Sequence, residues 1–280
     1  MVDWAFMRIS NRPCSILLTS LATVAAAGCA ASMPRIEQYG GMREVLREGQ
    51  AQRRIALLDA VARPHAYGVG ALENLGGEIT IVDGEVWIGR VEAGELRVSG
   101  PLPSSGDGAA LLILANVNHW SESTMQAAAA DAELESALEQ IAQKRGVDTN
   151  RPFPFEIEGQ LTALSMHAVN GACPMFDDPR PDGDGAPWRF TLDAPVHGRI
   201  VGFFARDSAG EITHHGTMIH AHALLDQDGA RLTGHVESVA FAPGAVVRVP
   251  AVRFSSGCRR LACCLRPPSG REDGVGHPYQ

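Results

Sequence analysis

The chain has few basic and few aromatic side chains. Its 280 residues contain 24 Lys and Arg against 32 Asp and Glu, a formal net charge of −8, and no basic run interrupts the body of the sequence. Because Lys and Arg that neutralise phosphates dominate nucleic-acid affinity, this balance excludes a nucleic-acid partner. Aromatic residues make up 6% and charged residues 20%, alongside 30 Gly and 17 Pro. This composition excludes a coiled coil and favours a globular, turn-rich chain that leans towards β structure.

Long apolar runs are also scarce, and the most distinct one lies near the N-terminus. Arg8 and Arg12 precede an apolar run over 16–27, which ends in small residues before Cys29. The run is too short to span a bilayer as a stable helix, and its order is typical of a secretion signal. We predict a signal peptide over 1–28 and an exported protein, periplasmic or lipid-anchored at the bacterial cell envelope. Cleavage nearby without lipidation, or an apolar N-terminal helix packed on the core, are the alternatives.

Cys29 follows small residues as in a bacterial lipobox, so it is the candidate lipidation site and membrane tether. The four cysteines beyond the predicted signal form no recognisable disulfide framework; they are Cys173, Cys258, Cys263 and Cys264. No internal repeat is visible.

The remaining chain divides at a loop over 177–187 that is dense in Asp, Gly and Pro. We predict a sheet-and-helix domain over 33–176, a metal-binding β domain over 188–254 and a disordered tail over 255–280. Turn residues and the alternation of apolar and polar residues predict a three-stranded meander over 76–98, and a buried strand is predicted over 111–117. Helical spacing of apolar residues, with acidic residues at the start and basic residues at the end, predicts a helix over 131–145.

The histidine pattern after residue 217 is the most informative feature. His220 and His222 share one face of a predicted strand, because side chains two residues apart point the same way. An Asp228-Gly229 turn places His235 opposite His222, and a Gln227-Asp228 turn places it opposite His220. A three-residue loop instead turns His235 to the other face.

Three neutral imidazoles with further positions open are typical of catalytic zinc, although another divalent transition metal fits as well. The alternative is a set of surface histidines on an exposed strand. Glu237 lies on the same face as His235 and is a candidate substrate-binding or imidazole-orienting group, with a rim carboxylate as the alternative. His214 and His215 lie roughly 20 Å from the site along a continuous strand, so they reach it only if the chain folds back at Gly216.

Together with the meander, the segment over 70–84 and the strand over 201–204, this hairpin resembles the α-acetolactate decarboxylase family, across most of 66–250. The resemblance implies a metal ion, usually zinc, held by His220, His222 and His235, with Glu78 at the site. It also implies a homodimer formed through the N-terminal sheet. The expected fold is α+β and β-rich, with a mixed or antiparallel sheet packed against a small, β-barrel-like, metal-binding C-terminal part.

The activity that the resemblance implies is decarboxylation of 2-acetolactate, a small 2-hydroxy-3-keto acid, to acetoin. Loss of carbon dioxide leaves an enediolate whose charge a metal stabilises, and an acid then protonates carbon. Glu78 and His167 are the candidate catalytic groups. His167 stands where the family carries an arginine suited to a carboxylate, and an imidazole lacks the guanidinium fork.

Two other functions compete with this one. A periplasmic metal-dependent binding protein of the same fold, non-catalytic or of altered specificity, is the first alternative. A cupin-like enzyme shares H-x-H on a strand but expects a glycine where His214 stands, so it ranks last.

Overall fold

The computed structural model describes residues 33–172 and 186–252. The predicted signal peptide, Cys29, the other five cysteines and the predicted tail over 255–280 lie outside these ranges. Within the described ranges, no helix has both the length and the apolar character needed to cross a membrane.

The first half of the chain folds into a seven-stranded antiparallel sheet. The strands are β1 (Ile36–Tyr39), β2 (Ile55–Ala56), β3 (Ala66–Leu72), β4 (Glu78–Val82), β5 (Glu85–Glu92), β6 (Glu95–Ser99) and β7 (Gly108–Asn116). Their order across the sheet is β1-β7-β3-β4-β5-β6, and β2 also pairs with β7. Both residues of the Asp83-Gly84 and Ala93-Gly94 turns have positive φ, the conformation that suits two-residue hairpins. The predicted meander, β4 to β6, and the predicted buried strand, β7, are confirmed.

The second sheet has eight strands and closes on itself. The long strand β10 pairs with β12 through its first half and with β14 through its second half, and β12, β13 and β14 pair in sequence. The expected small barrel-like part is therefore confirmed. The strands are β8 (Trp120–Thr124), β9 (Ala129–Ala130), β10 (Phe153–Ala168), β11 (Trp188–Thr191), β12 (Val196–Phe204), β13 (Ile219–Gln227), β14 (Ala230–Phe241) and β15 (Val246–Pro250).

Within the described ranges, three α-helices accompany the sheets: α1 (Met42–Leu46), α2 (Leu57–Ala60) and α3 (Asp131–Lys144). The predicted helix corresponds to α3, whose Leu134 and Leu138 are buried in the core of the second sheet. Acidic residues lie in its first turn and Lys144 in its last, as the helix dipole favours.

The sheets change along the chain between β7 and β8, well before the predicted boundary at 176–188. The reason is β10, which precedes that boundary yet supplies ladder partners to both β12 and β14. The described residues form one compact unit. Much of the predicted linker falls in 173–185, outside the described residues.

The two sheets meet where β3 and β4 pack against β12, β13 and β14. Val69 and Ile113 of the first sheet share a buried apolar cluster with Val201 and Phe203 of the second. This packing brings the start of β4 against the histidine-bearing hairpin.

Gly202 sets the distance between β12 and β13, so we expect Gly202→Ala to destabilise the fold. Gly202 faces Ala221, and an added Cβ would lie 2.4 Å from the His220 carbonyl oxygen. The free energy of unfolding in urea should fall by about 1–3 kcal/mol, as for other overpacked sites. Gly106→Ala is the matched control, since its added Cβ meets nothing within 4 Å. If the two variants were equally stable, β12 and β13 would not be held close together by Gly202.

Candidate metal centre

The hairpin of β13 and β14 fixes the histidine register. Gln227 pairs with Ala230, so Asp228 and Gly229 form the two-residue turn, with φ of 53° and 79°. This register places His222 directly opposite His235. It is the first of the alternatives that the sequence left open.

The three predicted ligands converge. One nitrogen from each of His220, His222 and His235 lies within 4.8 Å of the others. The residues are 2%, 0% and 6% exposed, so the surface-histidine alternative is wrong. Buried imidazoles whose nitrogens face one another are suited to share a cation.

Two ring nitrogens of the triad have no partner among the described residues. His220 Nδ1 and His222 Nε2 are buried and accept or donate no hydrogen bond among the described residues. Buried polar atoms are nearly always paired, so such atoms point to a bound group. A metal ion would satisfy both, and a cluster of imidazole donors suits zinc or another divalent transition metal.

A relay of hydroxyl groups sets the tautomer of His222. Thr233 Oγ1 donates to the Ala223 carbonyl at 2.8 Å and lies 2.7 Å from Thr80 Oγ1. Thr80 must therefore donate to Thr233 and accept from His222 Nδ1, 3.0 Å away. The proton is held on Nδ1, which leaves the Nε2 lone pair for a metal.

Burial also keeps the three imidazoles uncharged. Desolvation lowers the pKa of His222 to about 3 and holds the pKa of His220 and His235 well below the ordinary value. All three are neutral at pH 7, which is the form that binds a metal.

Glu78 begins β4 beside the triad and is 3% exposed, not a solvated edge residue. Burial raises its pKa to about 8, partly offset by the Val169 N–H that donates to Oε1 at 3.2 Å. Its Oε2 lies 3.6 Å from His222 Nε2. Because the carboxyl is mostly protonated and the imidazole neutral at pH 7, this contact is not an ion pair.

His167 lies opposite His235 on the neighbouring strand and is 1% exposed. Its Nδ1 is 3.0 Å from Glu237 Oε1, which also accepts from Arg189 Nη1 at 2.6 Å. Ser165 Oγ donates to the other oxygen of Glu237 at 2.9 Å. The hydrogen bond with His167, more than any other contact, lowers the pKa of Glu237 to about 2. Glu237 is thus an ionised acceptor that orients His167.

His214 also lies at the metal centre, although its distance from His220 along a continuous strand argued against this. The chain turns at Gly216, where φ is +89°, and the His214 ring comes within 5.0 Å of the His235 ring. A small cavity of about 20 Å³ is lined by His214, Glu78, His167, His220 and His235, among others. The signal for this turn was Gly216 itself, since Gly is the residue that adopts positive φ most readily.

The family model described as alpha-acetolactate decarboxylase matches residues 38–253. No curated protein matches the sequence.

Solved structures that resemble the chain include two acetolactate decarboxylases and a protein of unknown function. α-Acetolactate decarboxylase from Bacillus subtilis strain 168 has a TM-score of 0.60 at 19% identity, covering 78% of this chain and 86% of that one. The enzyme from Bacillus subtilis subspecies spizizenii gives the same values. A Staphylococcus aureus protein of unknown function, described as similar to alpha-acetolactate decarboxylase, has a TM-score of 0.55 at 15% identity, covering 79% and 86%. At these identities the likeness concerns the fold.

We expect Thr80→Val to weaken zinc binding about 10- to 100-fold, because the methyl group cannot accept the His222 Nδ1 proton. The affinity is measured by competition with a chromophoric chelator.

Thr80→Ser is the matched control, since it keeps the hydroxyl and should bind zinc like the parent protein. If Thr80→Val bound zinc as tightly as Thr80→Ser, the relay would not set the tautomer of His222.

Proposed function

The chain belongs to the alpha-acetolactate decarboxylase family, and we propose that it catalyses the metal-dependent decarboxylation of 2-acetolactate to acetoin. Enzymes of this family act on a small-molecule keto acid. The observation that carries the proposal is the buried triad of His220, His222 and His235, in which two nitrogens lack a partner among the described residues and one of them lies 3.6 Å from Glu78 Oε2.

The metal would be Zn²⁺ or another divalent transition metal, held by the three histidines. When bound, it supplies Lewis-acid stabilisation of the negative charge that loss of carbon dioxide leaves on the substrate. The chain prepares the ligands by keeping them neutral and by fixing the His222 tautomer through Thr80.

Glu78 is the proton donor in this proposal. Burial raises the pKa of its carboxyl, which favours the protonated form, and the Val169 N–H holds one of its oxygens in place. An acid that retains its proton near pH 7 can deliver it to the carbon from which carbon dioxide has left.

His167 orients the substrate. Its Nδ1 is held 3.0 Å from Glu237 Oε1, which leaves Nε2 for a hydrogen bond with the substrate. Glu237 acts through His167 and is held by Ser165 and Arg189.

Export belongs to the proposal as well. The N-terminal leader pattern supports a periplasmic or envelope location, with Cys29 as a membrane tether, and the homodimer implied by the family resemblance is part of the same proposal.

A periplasmic metal-dependent binding protein of altered specificity is the second candidate. The observation in its favour is His167, which cannot grip a carboxylate as a guanidinium does. Arg189, directly across the ladder from His167, does not replace that group because its guanidinium is bound to Glu237.

We expect the zinc-loaded protein to release acetoin from racemic acetolactate, and a chelator to abolish this activity until zinc is restored. Acetoin is measured colorimetrically and carbon dioxide release independently.

Glu78→Gln should keep the zinc and lose about 10²- to 10⁴-fold in kcat, the usual share of a general acid. Glu95→Gln, an exposed glutamate on β6, is the matched control. If the zinc-loaded parent protein released no more acetoin than the metal-free sample, the proposed function would be wrong.

His167→Arg separates the two candidates. If the chain is a decarboxylase, the parent protein is active, and the added guanidinium lowers KM for acetolactate about tenfold through paired hydrogen bonds to the carboxylate. His167→Gln is the control, because its amide can form hydrogen bonds but carries no guanidinium charge. A parent protein that binds zinc without turnover, together with a His167→Arg variant that gains turnover, would establish the second candidate instead.

A further inference from the structure

A second and much larger cavity adjoins the metal centre. It measures about 330 Å³ and shares His214 and His235 with the small cavity around the triad. Its walls are the first turn of α3, the loop over 214–217 and β14 over 236–239. We refer to it as the α3 cavity.

The α3 cavity is larger than acetolactate needs. The small cavity at the triad, about 20 Å³, holds little more than an ion or one water molecule, so a keto acid that reacts there must extend into the α3 cavity. Cavities that hold drug-sized ligands begin at about 300 Å³, whereas one water molecule takes up about 30 Å³ in the liquid. A substrate whose reacting carbons lie at the triad therefore has room for a longer substituent on the His214 side.

The walls favour an uncharged substituent that donates hydrogen bonds. Three carboxylates line the cavity, those of Asp131, Glu135 and Glu237, and no Lys or Arg is among its lining residues, all of which lie in the described ranges. An anionic substituent would meet like charge and no basic side chain in the wall, while hydroxyl groups would find acceptors. Val236 and Val239 supply apolar surface for the carbon chain.

These carboxylates are held in place by the backbone. Glu135 Oε1 accepts from the Met218 N–H at 2.9 Å and from the Thr217 hydroxyl. Asp131 Oδ1 accepts from the Val239 N–H at 3.1 Å. The wall is thus preformed, and the unpartnered nitrogens of His220 and His222 mark the adjoining centre as one that takes a ligand.

We propose that the natural substrate is a 2-hydroxy-3-keto acid whose C3 substituent is larger than methyl, uncharged and hydroxyl-bearing, and that the α3 cavity binds this substituent. This inference rests on the proposed function for the chemistry at the triad, but it concerns a separate surface. Acetolactate is then the smallest member of the substrate class.

Calorimetric titration of the zinc-loaded protein tests the cavity without turnover. The probes are 2,3-dihydroxy-2-methylbutanoate, which lacks the keto group and cannot decarboxylate, and two analogues in which its C4 methyl is replaced by a hydroxypropyl or a carboxypropyl chain. We expect the hydroxypropyl compound to bind about tenfold or more tightly than the methyl compound, and the carboxypropyl compound to gain nothing.

Ala132→Trp fills the cavity from α3 and should remove the gain. His215→Trp should do so from the loop over 214–217. Both positions are exposed, so we expect the fold to tolerate each change. Ser136→Trp, on the same helix but outside the cavity, is the matched control and should keep the gain.

Equal affinity of the methyl and hydroxypropyl compounds, or a gain that both cavity-filling variants retain, overturns the inference. If the protein turns over acetolactate but binds the hydroxypropyl compound no more tightly than the methyl compound, the proposed function stands and the proposed role of the α3 cavity is wrong. If Ala132→Trp abolishes the gain in affinity but the parent protein releases no acetoin from acetolactate, the role of the α3 cavity is supported and the proposed decarboxylation is wrong.

Discussion

The site depends on one hydrogen bond between the two sheets, from His222 on β13 to Thr80 on β4. Thr80 sets the His222 tautomer, and Glu78, two residues earlier on the same face of β4, brings the acid to the same place. A single strand of the first sheet therefore supplies both the group that prepares a ligand and the group that holds a proton. The metal ligands come from the second sheet, so the chemistry lies where the sheets pack together.

Two carboxyl groups at this junction are held in opposite states by their surroundings. Glu78 is buried with one backbone N–H as a partner, and its pKa is raised to about 8. Glu237 accepts hydrogen bonds from His167, Ser165 and Arg189, and its pKa is lowered to about 2. Environments that separate the pKa values of two like groups allow one to act as an acid and the other as an orienting anion.

Local sequence patterns predicted the parts of the site that are local in the chain. The Asp228-Gly229 turn and the two-residue period predicted the hairpin and the shared face of the histidines, and helical spacing predicted α3. Thr80 and Thr233 were missed because a threonine on an alternating strand has no signature for a partner 142 or more residues away. His214 was discounted because its position depends on a backbone turn at Gly216. The pairing of β10 with both β12 and β14 was not predicted because it depends on closure of the sheet. Tertiary contacts decide these features, and the local spacing of apolar and polar residues along the sequence does not encode them.

The division of the site between a hairpin and a distant strand bears on the order in which the protein matures. His220, His222 and His235 lie on two strands joined by a two-residue turn, so their convergence needs only short-range chain closure, which is fast. Thr80 and Glu78 join them only when the first sheet docks, at a much greater separation along the chain. Capture of an ion can therefore precede the arrival of the acid, and a newly made chain can carry metal before it is competent for proton transfer.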